Sequence, residues 1–306
     1  MAGFEKLYGR LRRTLPQDKG EVKGRLLKEH HVDEVCGVLR KVGCLFEVVA
    51  VDSTLQTEAE LGAHKIGQAE GMTKNLTDKH HKSLIEEVWE LRRQLEAMSL
   101  QLYLQSCAMV ELVYNVLNNA TLYHSLRLWK ELGEYHWIID GKERDKVTPW
   151  EEWWSQVLLP LIEAKSLKEP FMAIDGGNYQ AYDRFRAEDP DDYKKQFFDH
   201  SSDSAYHDLR LILKEDFRFS SNNEYGLEAA DILVNTIRRS LAGNFGREGW
   251  LPVRELMVHR NQHYIRLISL GPGDGQAPKI SEVPYRNVLS DFRSGGKSML
   301  TTRLQK

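Results

Sequence analysis

The sequence has few cysteines, no long apolar run and almost no surplus of charge. Its 306 residues include only three cysteines, Cys36, Cys44 and Cys107, and no Cys-x-x-Cys pair. Such scattered cysteines exclude a disulfide framework and a structural zinc site, so we predict buried, reduced thiols. No window reaches the roughly 18 uninterrupted apolar residues of a membrane span, and no apolar stretch opens the chain. We therefore predict a cytoplasmic protein without a membrane partner.

Charge is close to balanced, with 42 Lys and Arg residues against 45 Asp and Glu residues and a net charge of −3. This balance argues against a protein that coats duplex DNA or an anionic membrane, because both surfaces attract a surplus of cations. A nuclease remains open, since a metal site needs only local carboxylates and local basic residues. Apolar residues make up 41% of the chain, which is enough to form a folded core.

Apolar periodicity alternates between helix and strand along the first half of the chain. The first forty residues predict two amphipathic helices. Residues 48–51 are apolar without alternation and mostly β-branched, which predicts a central strand buried on both faces. Residues 54–76 are polar and are interpreted as irregular chain. The strongest helical stripe covers 84–116, as one long helix or two end to end, and a short second strand covers 135–140.

The second half adds a further strand and two helices to the prediction. A cap, a proline and a glutamate at 148–151 indicate a helix start, and the tryptophans that follow indicate core packing. Alternation over 209–221 predicts an exposed or edge strand. The stripe of 227–241 predicts a helix, with Leu227, Ala230, Val234 and Ile237 on its buried side.

Strands that alternate with helices predict an α/β fold with helices on the faces of a sheet. We predict one domain over residues 1–270, with a helical insertion at about 77–132. Residues 271–306 are rich in Gly and Pro at first and are expected to form a weakly ordered tail.

Aspartates stand where the predicted strands end. Asp52 follows the strand 48–51, and Asp140 closes the strand 135–140. In open α/β sheets, functional groups gather at the carboxyl ends of strands. Asp231 lies in an apolar helix, where an aspartate is unfavourable unless something offsets it. The three together are the kind of ligand set that two Mg²⁺ ions need for phosphodiester hydrolysis, although strand-end aspartates also form turns and cap helices.

Several other motifs are discounted. Gly295-Gly296-Lys297-Ser298 is similar to the end of a P-loop, but no buried strand precedes it. The adjacent pairs His30-His31 and His80-His81 point apart on a helix and make poor joint metal ligands. Arg238-Arg239 are interpreted as a solvated helix end, with a phosphate contact as the alternative.

Four segments carry a family likeness: Glu21-Val22-Lys23-Gly24, the strand 45–52, Trp137-Ile138-Ile139-Asp140-Gly141-Lys142, and Gly226-Leu227-Glu228-Ala229-Ala230-Asp231-Ile232-Leu233. They resemble, in order, segments of the bacterial "domain of unknown function 3800" family, including its E-(I/L)-K-G, W-x-(I/V)-D-x-K and G-L-Q-x-A-D-I-L motifs. The likeness covers roughly residues 5–270. It implies a ribonuclease H-like mixed sheet flanked by helices, with a long helical insertion.

The resemblance also implies an activity, namely phosphodiester hydrolysis by a nuclease that depends on Mg²⁺ or Mn²⁺ and acts on nucleic acid. Carried over residue by residue, it assigns catalysis to four carboxylates: Glu21, Asp52, Asp140 and Asp231. The three aspartates among them are the implied metal ligands. The implied contacts to the substrate phosphate are Lys23 and Lys142.

The chain departs from the family pattern in two ways. The family opens with a strand that reads D-E-(S/A)-G and a hairpin, and neither stands before Glu21 in this sequence. Because that strand supplies the leading carboxylate, we predict weak or no nuclease activity, unless the chain starts at an internal methionine of a longer gene. In addition, Glu228 stands where the family usually has Gln.

Two expectations about partners follow. A sheet without its opening hairpin exposes strand edges, which predicts a homodimer. The competing hypothesis is a non-catalytic interaction or regulatory protein of a mobile-element or defence cluster. In that case the stripe 84–116 and the tryptophans at 150–154 would contact a partner.

Overall fold

A computed structural model describes residues 2–78, 80–141, 143, 148–187, 207–270 and 283–300. The elements of its first half are α1 (Ala2–Leu11), β1 (Gln17–Asp18), β2 (Glu21–Val22), a 3₁₀ turn (Gly24–Leu26), α2 (Glu29–Lys41), β3 (Val48–Val51), a 3₁₀ turn (Ser53–Leu55), α3 (Glu58–Thr73), α4 (Lys82–Ala97), α5 (Leu100–Ser125), a 3₁₀ turn (Trp129–Gly133) and β4 (Trp137–Asp140). The elements of its second half are α6 (Pro149–Trp153), a π-helical turn (Trp154–Leu158), α7 (Leu159–Lys168), a 3₁₀ turn (Tyr182–Phe185), α8 (Leu209–Lys214), β5 (Phe217–Ser220), α9 (Tyr225–Leu241), α10 (Arg247–Arg254), β6 (Ile265–Ile268) and α11 (Arg286–Asp291).

The stripe over 84–116 is confirmed as two helices end to end, α4 and α5. The break falls at Met98 and Ser99, where the Ser99 hydroxyl accepts a hydrogen bond from the N–H of Leu102 at 3.2 Å and caps α5. Ser is a favoured N-cap because its side chain satisfies an N–H that has no partner inside the helix.

The prediction of irregular chain over 54–76 is wrong, because most of this segment is α3. Thr57 and Glu60 form a capping box, in which the Glu60 carboxylate accepts from the Thr57 N–H at 2.7 Å and the Thr57 hydroxyl accepts from the Glu60 N–H at 3.2 Å. Only Leu61 and Ala69 are buried in this helix. A helix with so narrow an apolar face shows little apolar periodicity in its sequence. The capping box is the sequence feature that indicates the start of α3.

The strand predicted over 209–221 is wrong in its first half. Asp208 accepts a hydrogen bond from the N–H of Arg210 at 2.9 Å and starts α8, so that β5 is confined to Phe217–Ser220. The buried side predicted for 227–241 is also wrong in part, since Val234 is 50% exposed. In α9 the buried side holds Ala229, Ile232 and Leu233 instead.

The described strands form three two-stranded sheets. β1 and β2 pair antiparallel, while β3 with β6 and β4 with β5 pair parallel. Helices that cover short parallel sheets confirm the α/β class. The described strands do not join into the one mixed sheet that the resemblance implied. β3 is not a central strand either, because β6 is its one described neighbour and only Val48 among its four residues is buried.

Buried apolar residues form two clusters. The terminal core holds side chains from α1, α2, β3, α9, α10, β6 and α11, that is, from the two ends of the chain. The middle core holds side chains from α3 to α8 together with β4 and β5. Trp150, Trp153 and Trp154 lie in the middle core at 4–6% exposure, so core packing is confirmed for them and a partner contact is wrong.

Part of the predicted weakly ordered tail is packed. Val288, Leu289 and Phe292 belong to the terminal core, and the Nζ of Lys297 donates to the carbonyl of Cys44 at 2.6 Å. Residues 271–282 and 301–306 lie outside the described residues. Across the described part of the chain, no helix is both long and apolar enough to cross a membrane.

Candidate functional site

The segment after the first hairpin lies across α9. A tight turn places Lys19 at φ 52° and Gly20 at φ 81°, and the chain then runs along the helix from Glu21. The N–H of Val22 donates to Oε1 of Glu228, and the N–H of Gly24 donates to Oδ2 of Asp231 at 3.2 Å. Two carboxylates, at adjacent turns of α9, thus hold the backbone of this segment.

Close approach of the segment to the helix depends on Gly24. A Cβ at this position would lie 2.7 Å from the Cβ of Asn235 and 3.0 Å from the Cα of Ile232. The guanidinium of Arg239 donates to the carbonyls of Gly24 and Leu27 at 3.2 and 2.7 Å. Arg239 therefore holds the segment against α9 through hydrogen bonds and is not the solvated residue that the sequence indicated.

A buried ion pair lies beneath the segment. Glu228 is 3% exposed, and its Oε2 accepts from Nε of Arg12 at 2.7 Å. Arg12 also donates to the carbonyl of Gly20, so that one guanidinium ties the hairpin to α9. The hydrogen bond to Glu228 raises the pKa of Arg12, and burial followed by the charge of Glu228 raises the pKa of Tyr8. The extra charge noted at Glu228 is thus offset by Arg12, which the sequence analysis missed.

Four of the sequence-predicted residues interact electrostatically through the ammonium group of Lys23. Nζ of Lys23 lies 2.7 Å from Oε1 of Glu21. This hydrogen bond raises the pKa of Lys23, and the charges of Asp231 and Asp140 raise it further. We call Glu21, Lys23, Asp140 and Asp231 the Lys23 cluster. Its members come from β2, the loop after it, the end of β4, and α9.

The position of each aspartate in the Lys23 cluster follows from the strand or helix that carries it. Asp140 is the last residue of β4 and is exposed at the point where the N–H of Gly141 donates to the carbonyl of Ser220 at 2.9 Å. Asp231 is half-buried on α9, and its Oδ1 accepts from Nδ2 of Asn235 at 2.8 Å. Lys142, the second predicted phosphate contact, lies outside the described residues.

Asp52 has partners outside the Lys23 cluster. It caps the 3₁₀ turn that follows β3 and accepts hydrogen bonds from the N–H of Thr54 at 2.9 Å and the hydroxyl of Tyr285 at 2.7 Å. Partial burial alone would raise the pKa of Asp52, but the hydrogen bonds outweigh it and lower the pKa. Asp52 therefore follows the helix-cap alternative for a strand-end aspartate.

A two-metal site would need several of these carboxylates to meet at one point. No group of three or more His, Cys, Asp and Glu side chains in the described ranges is placed to hold a metal ion. Both oxygens of Asp231 already accept hydrogen bonds, from Gly24 and Asn235, and Lys23 supplies a positive charge nearby. In this arrangement the residues do not fit a two-metal site. Metal binding by Asp52, Asp140 and Asp231 stays a prediction.

Comparisons with protein-family models, curated proteins and solved structures found no match to this chain.

Proposed function

We propose that the chain has a ribonuclease H-like origin and that the Lys23 cluster corresponds to the site of a divalent-metal-dependent nuclease, with weak or no phosphodiester hydrolysis by this chain. One observation carries the proposal. Glu21, Asp140 and Asp231 are separated by most of the chain, yet all three act on the ammonium of Lys23: Glu21 through an ion pair at 2.7 Å, and the two aspartates through charges that raise its pKa. Carboxylates that converge from a hairpin, a strand end and a helix are typical of sites that handle phosphodiesters.

Weak activity follows from the charges of the cluster. Three carboxylates and one ammonium leave an excess of negative charge, which repels a phosphodiester. Lys23 offsets part of this excess, and the hydrogen bonds from Gly24 and Asn235 hold Asp231 away from other ligands. The chain's own residues thus stabilise a closed arrangement of the cluster.

A lysine substitution provides the test. Lys23→Met removes the ammonium that pairs with Glu21 and whose pKa the charges of Asp140 and Asp231 raise. We expect it to bind Mn²⁺ at least tenfold more tightly than the unchanged protein in calorimetric titration. The matched control is Lys41→Met, on the exposed end of α2, which should leave Mn²⁺ binding unchanged. Equal binding by all three proteins would contradict the proposal.

Cleavage assays complete the test. With Mg²⁺ or Mn²⁺, we expect the unchanged protein to show weak or no cleavage of single-stranded RNA, single-stranded DNA and RNA–DNA hybrids. Rapid turnover that Asp231→Asn abolishes and Asp52→Asn leaves intact would support the site and overturn the proposed weak activity. Rapid turnover that Asp231→Asn leaves intact would overturn the site as well.

A non-catalytic interaction protein is the second candidate. The observation in its favour is the apolar surface of α3 and α4, where Ile66, Leu84 and Trp89 are 53%, 41% and 42% exposed. Exposed apolar patches mark contacts with other proteins. Failure of Lys23→Met to raise Mn²⁺ binding, together with the absence of cleavage, would favour this candidate. Homodimerisation stays a prediction.

A further inference from the structure

The start of the chain carries a local surplus of positive charge. Its first 28 residues hold eight Lys and Arg residues against three Asp and Glu residues, whereas the whole chain has a net charge of −3. Three of the eight cations form ion pairs: Arg12 with Glu228, Lys23 with Glu21, and Arg25 with Asp18. Within the described ranges, Lys6, Arg10 and Arg13 have no carboxylate partner. Unpaired cations that are close together in the chain indicate a surface for a polyanion.

Lys6, Arg10 and Arg13 form a row on the outer side of α1, which we call the α1 row. Lys6 and Arg10 lie four residues apart on the helix. Arg13 follows in the turn that closes α1, where its N–H donates to the carbonyl of Arg10 at 3.4 Å. Residues three and four apart in helical chain lie on the same side. All three residues are exposed, so their charged groups are available to a ligand.

The apolar side of α1 is already used in the fold. Tyr8 is fully buried in the terminal core, and Phe4 and Leu11 pack against the same core. A basic helix that binds a lipid surface inserts its apolar face into the membrane interface. Because these side chains are held in the core, the α1 row favours a polyanion in solution over a membrane.

The length of the α1 row indicates the kind of polyanion. Lys6 and Arg13 are about 10 Å apart along the helix axis, a length that suits successive phosphates of one strand better than a single small anion. A helix that is packed on one side does not enter the groove of a duplex as a recognition helix does, which favours a single strand. The α1 row has no aromatic ring on which bases could stack, so its contacts are with phosphates and carry no sequence preference.

The first hairpin connects the α1 row with the Lys23 cluster. Arg12, which precedes Arg13, donates to the carbonyl of Gly20, so the hairpin turn lies against the end of α1. Lys19 is exposed at this turn and adds a fourth cation. Lys23 follows Lys19 by four residues, and an extended chain of that length spans at most about 14 Å. A strand that is bound at Lys19 therefore reaches the neighbourhood of the Lys23 cluster.

We propose that the α1 row and Lys19 bind the sugar–phosphate backbone of a single-stranded nucleic acid, without sequence preference, and hold it beside the Lys23 cluster. The inference rests on the proposed function, because it assigns the surface that holds the substrate of that site. The Lys23 cluster has an excess of negative charge that repels a phosphodiester, and four nearby cations offset this repulsion.

Fluorescence anisotropy with the full chain, a labelled thymidylate 20-mer and EDTA tests binding apart from any metal-dependent cleavage. The triple variant Lys6→Glu, Arg10→Glu, Arg13→Glu should weaken binding at least tenfold at low salt. The slope of log K against log salt concentration should also become less steep by about 2, because each phosphate contact on a single strand contributes about 0.7.

The matched control is a second triple variant with the same net charge, Lys74→Glu, Lys130→Glu, Lys168→Glu, at exposed lysines beside the middle core. It should bind the thymidylate within about threefold of the unchanged protein and keep the salt slope. Arg10→Lys keeps the charge of the α1 row and should bind like the unchanged protein.

Four outcomes would overturn the proposal: no binding of the thymidylate, equal weakening in the two triple variants, tighter binding of the adenylate–thymidylate duplex, or tighter binding of phosphatidylserine vesicles. Failure of the proposed function has a different result. In that case Lys23→Met leaves Mn²⁺ binding unchanged, whereas the α1 row still binds the thymidylate.

Discussion

The two cores of this protein differ in how far apart in the sequence the polar partners beside them lie. The terminal core closes over charged groups in specific pairs, such as Arg12 with Glu228, which are 216 residues apart in the sequence. The middle core is mainly aliphatic around a group of tryptophans, with Trp150 and Trp153 stacked at 5.5 Å between ring centroids, and its capping box joins Thr148 to Glu151 only three residues away. Apolar contact is non-directional, whereas an ion pair places two particular residues in contact. The terminal core is therefore the one that aligns distant segments for a site.

The Lys23 cluster lies where the two cores meet. Glu21, Lys23 and Asp231 belong to elements of the terminal core, and Asp140 ends a strand that packs on the middle core. The middle core supplies a rigid strand end, and the terminal core supplies the remaining charges. Selective weakening of either core should therefore have distinguishable effects.

The largest effect is expected from loss of packing in the middle core. Trp153→Ala removes a side chain that is 4% exposed, and we expect it to lower the free energy of unfolding by about 3–5 kcal/mol. Trp89→Ala, at a tryptophan that is 42% exposed, is the matched control and should cost far less. Urea denaturation measures both. Similar losses of unfolding free energy at the two tryptophans would show that Trp153 does not pack in the middle core.

A smaller effect is expected from the ion pair of the terminal core. Glu228→Gln leaves Arg12 partly buried without its charge partner, and we expect a loss of about 2 kcal/mol together with faster amide exchange over residues 20–27. Glu90→Gln, in an exposed pair with Arg93, should leave the free energy of unfolding nearly unchanged, because solvent screens the pair. A double-mutant cycle with Arg12→Met should show coupling. If the losses of the two single variants add up to the loss of the double variant, the pair does not join the hairpin to α9.

The smallest effect is a dependence of stability on pH that arises in the middle core. Nδ1 of His64 lies 2.6 Å from the hydroxyl of Tyr103, and burial lowers the pKa of His64 below its ordinary value of 6.5. The unfolded chain then binds a proton at a higher pH than the folded chain does. Stability should therefore fall as the pH drops below 6.5.

Substitution isolates this contribution of His64. His64→Gln keeps a hydrogen-bonding side chain but does not titrate, so it should flatten the pH dependence of the urea midpoint between pH 7 and pH 5. His80→Gln, at an exposed histidine, is the control and should leave that dependence unchanged. An unchanged slope in His64→Gln would contradict the role assigned to His64.

Apolar periodicity and capping residues in the sequence predicted the helices whose formation depends on neighbouring residues. The amphipathic stripes and caps predicted α1, α2, α4, α5 and the start of α6, because periodicity and capping act within a few residues. The same reasoning missed α3, whose apolar face is narrow, and α8, whose start depends on Asp208. It also placed Val234 on the buried side of α9, since nothing in the sequence shows which apolar residues meet a neighbour.

Strand ends and an unfavourable helix position singled out Asp52, Asp140 and Asp231 in the sequence, and the family resemblance added Glu21 and Lys23. In the structure Asp52 has its hydrogen-bond partners outside the Lys23 cluster. Asp52 is held by Thr54, two residues away, and by Tyr285. A strand-end aspartate satisfied by its own turn looks the same in sequence as one that faces a site. The difference depends on where β3 lies relative to β4, and the two belong to separate sheets.

By itself, the sequence determined where the helices with strong periodicity and caps begin, which residues carry charge, and that the chain has a core to bury. Only the tertiary structure decided which charges meet. The close approach at Gly24 and the pair between Arg12 and Glu228 bring the hairpin onto α9, and β4 places the charge of Asp140 where it raises the pKa of Lys23. The physical reason is that electrostatic energy depends on distance in space, while caps and periodicity depend on distance along the chain.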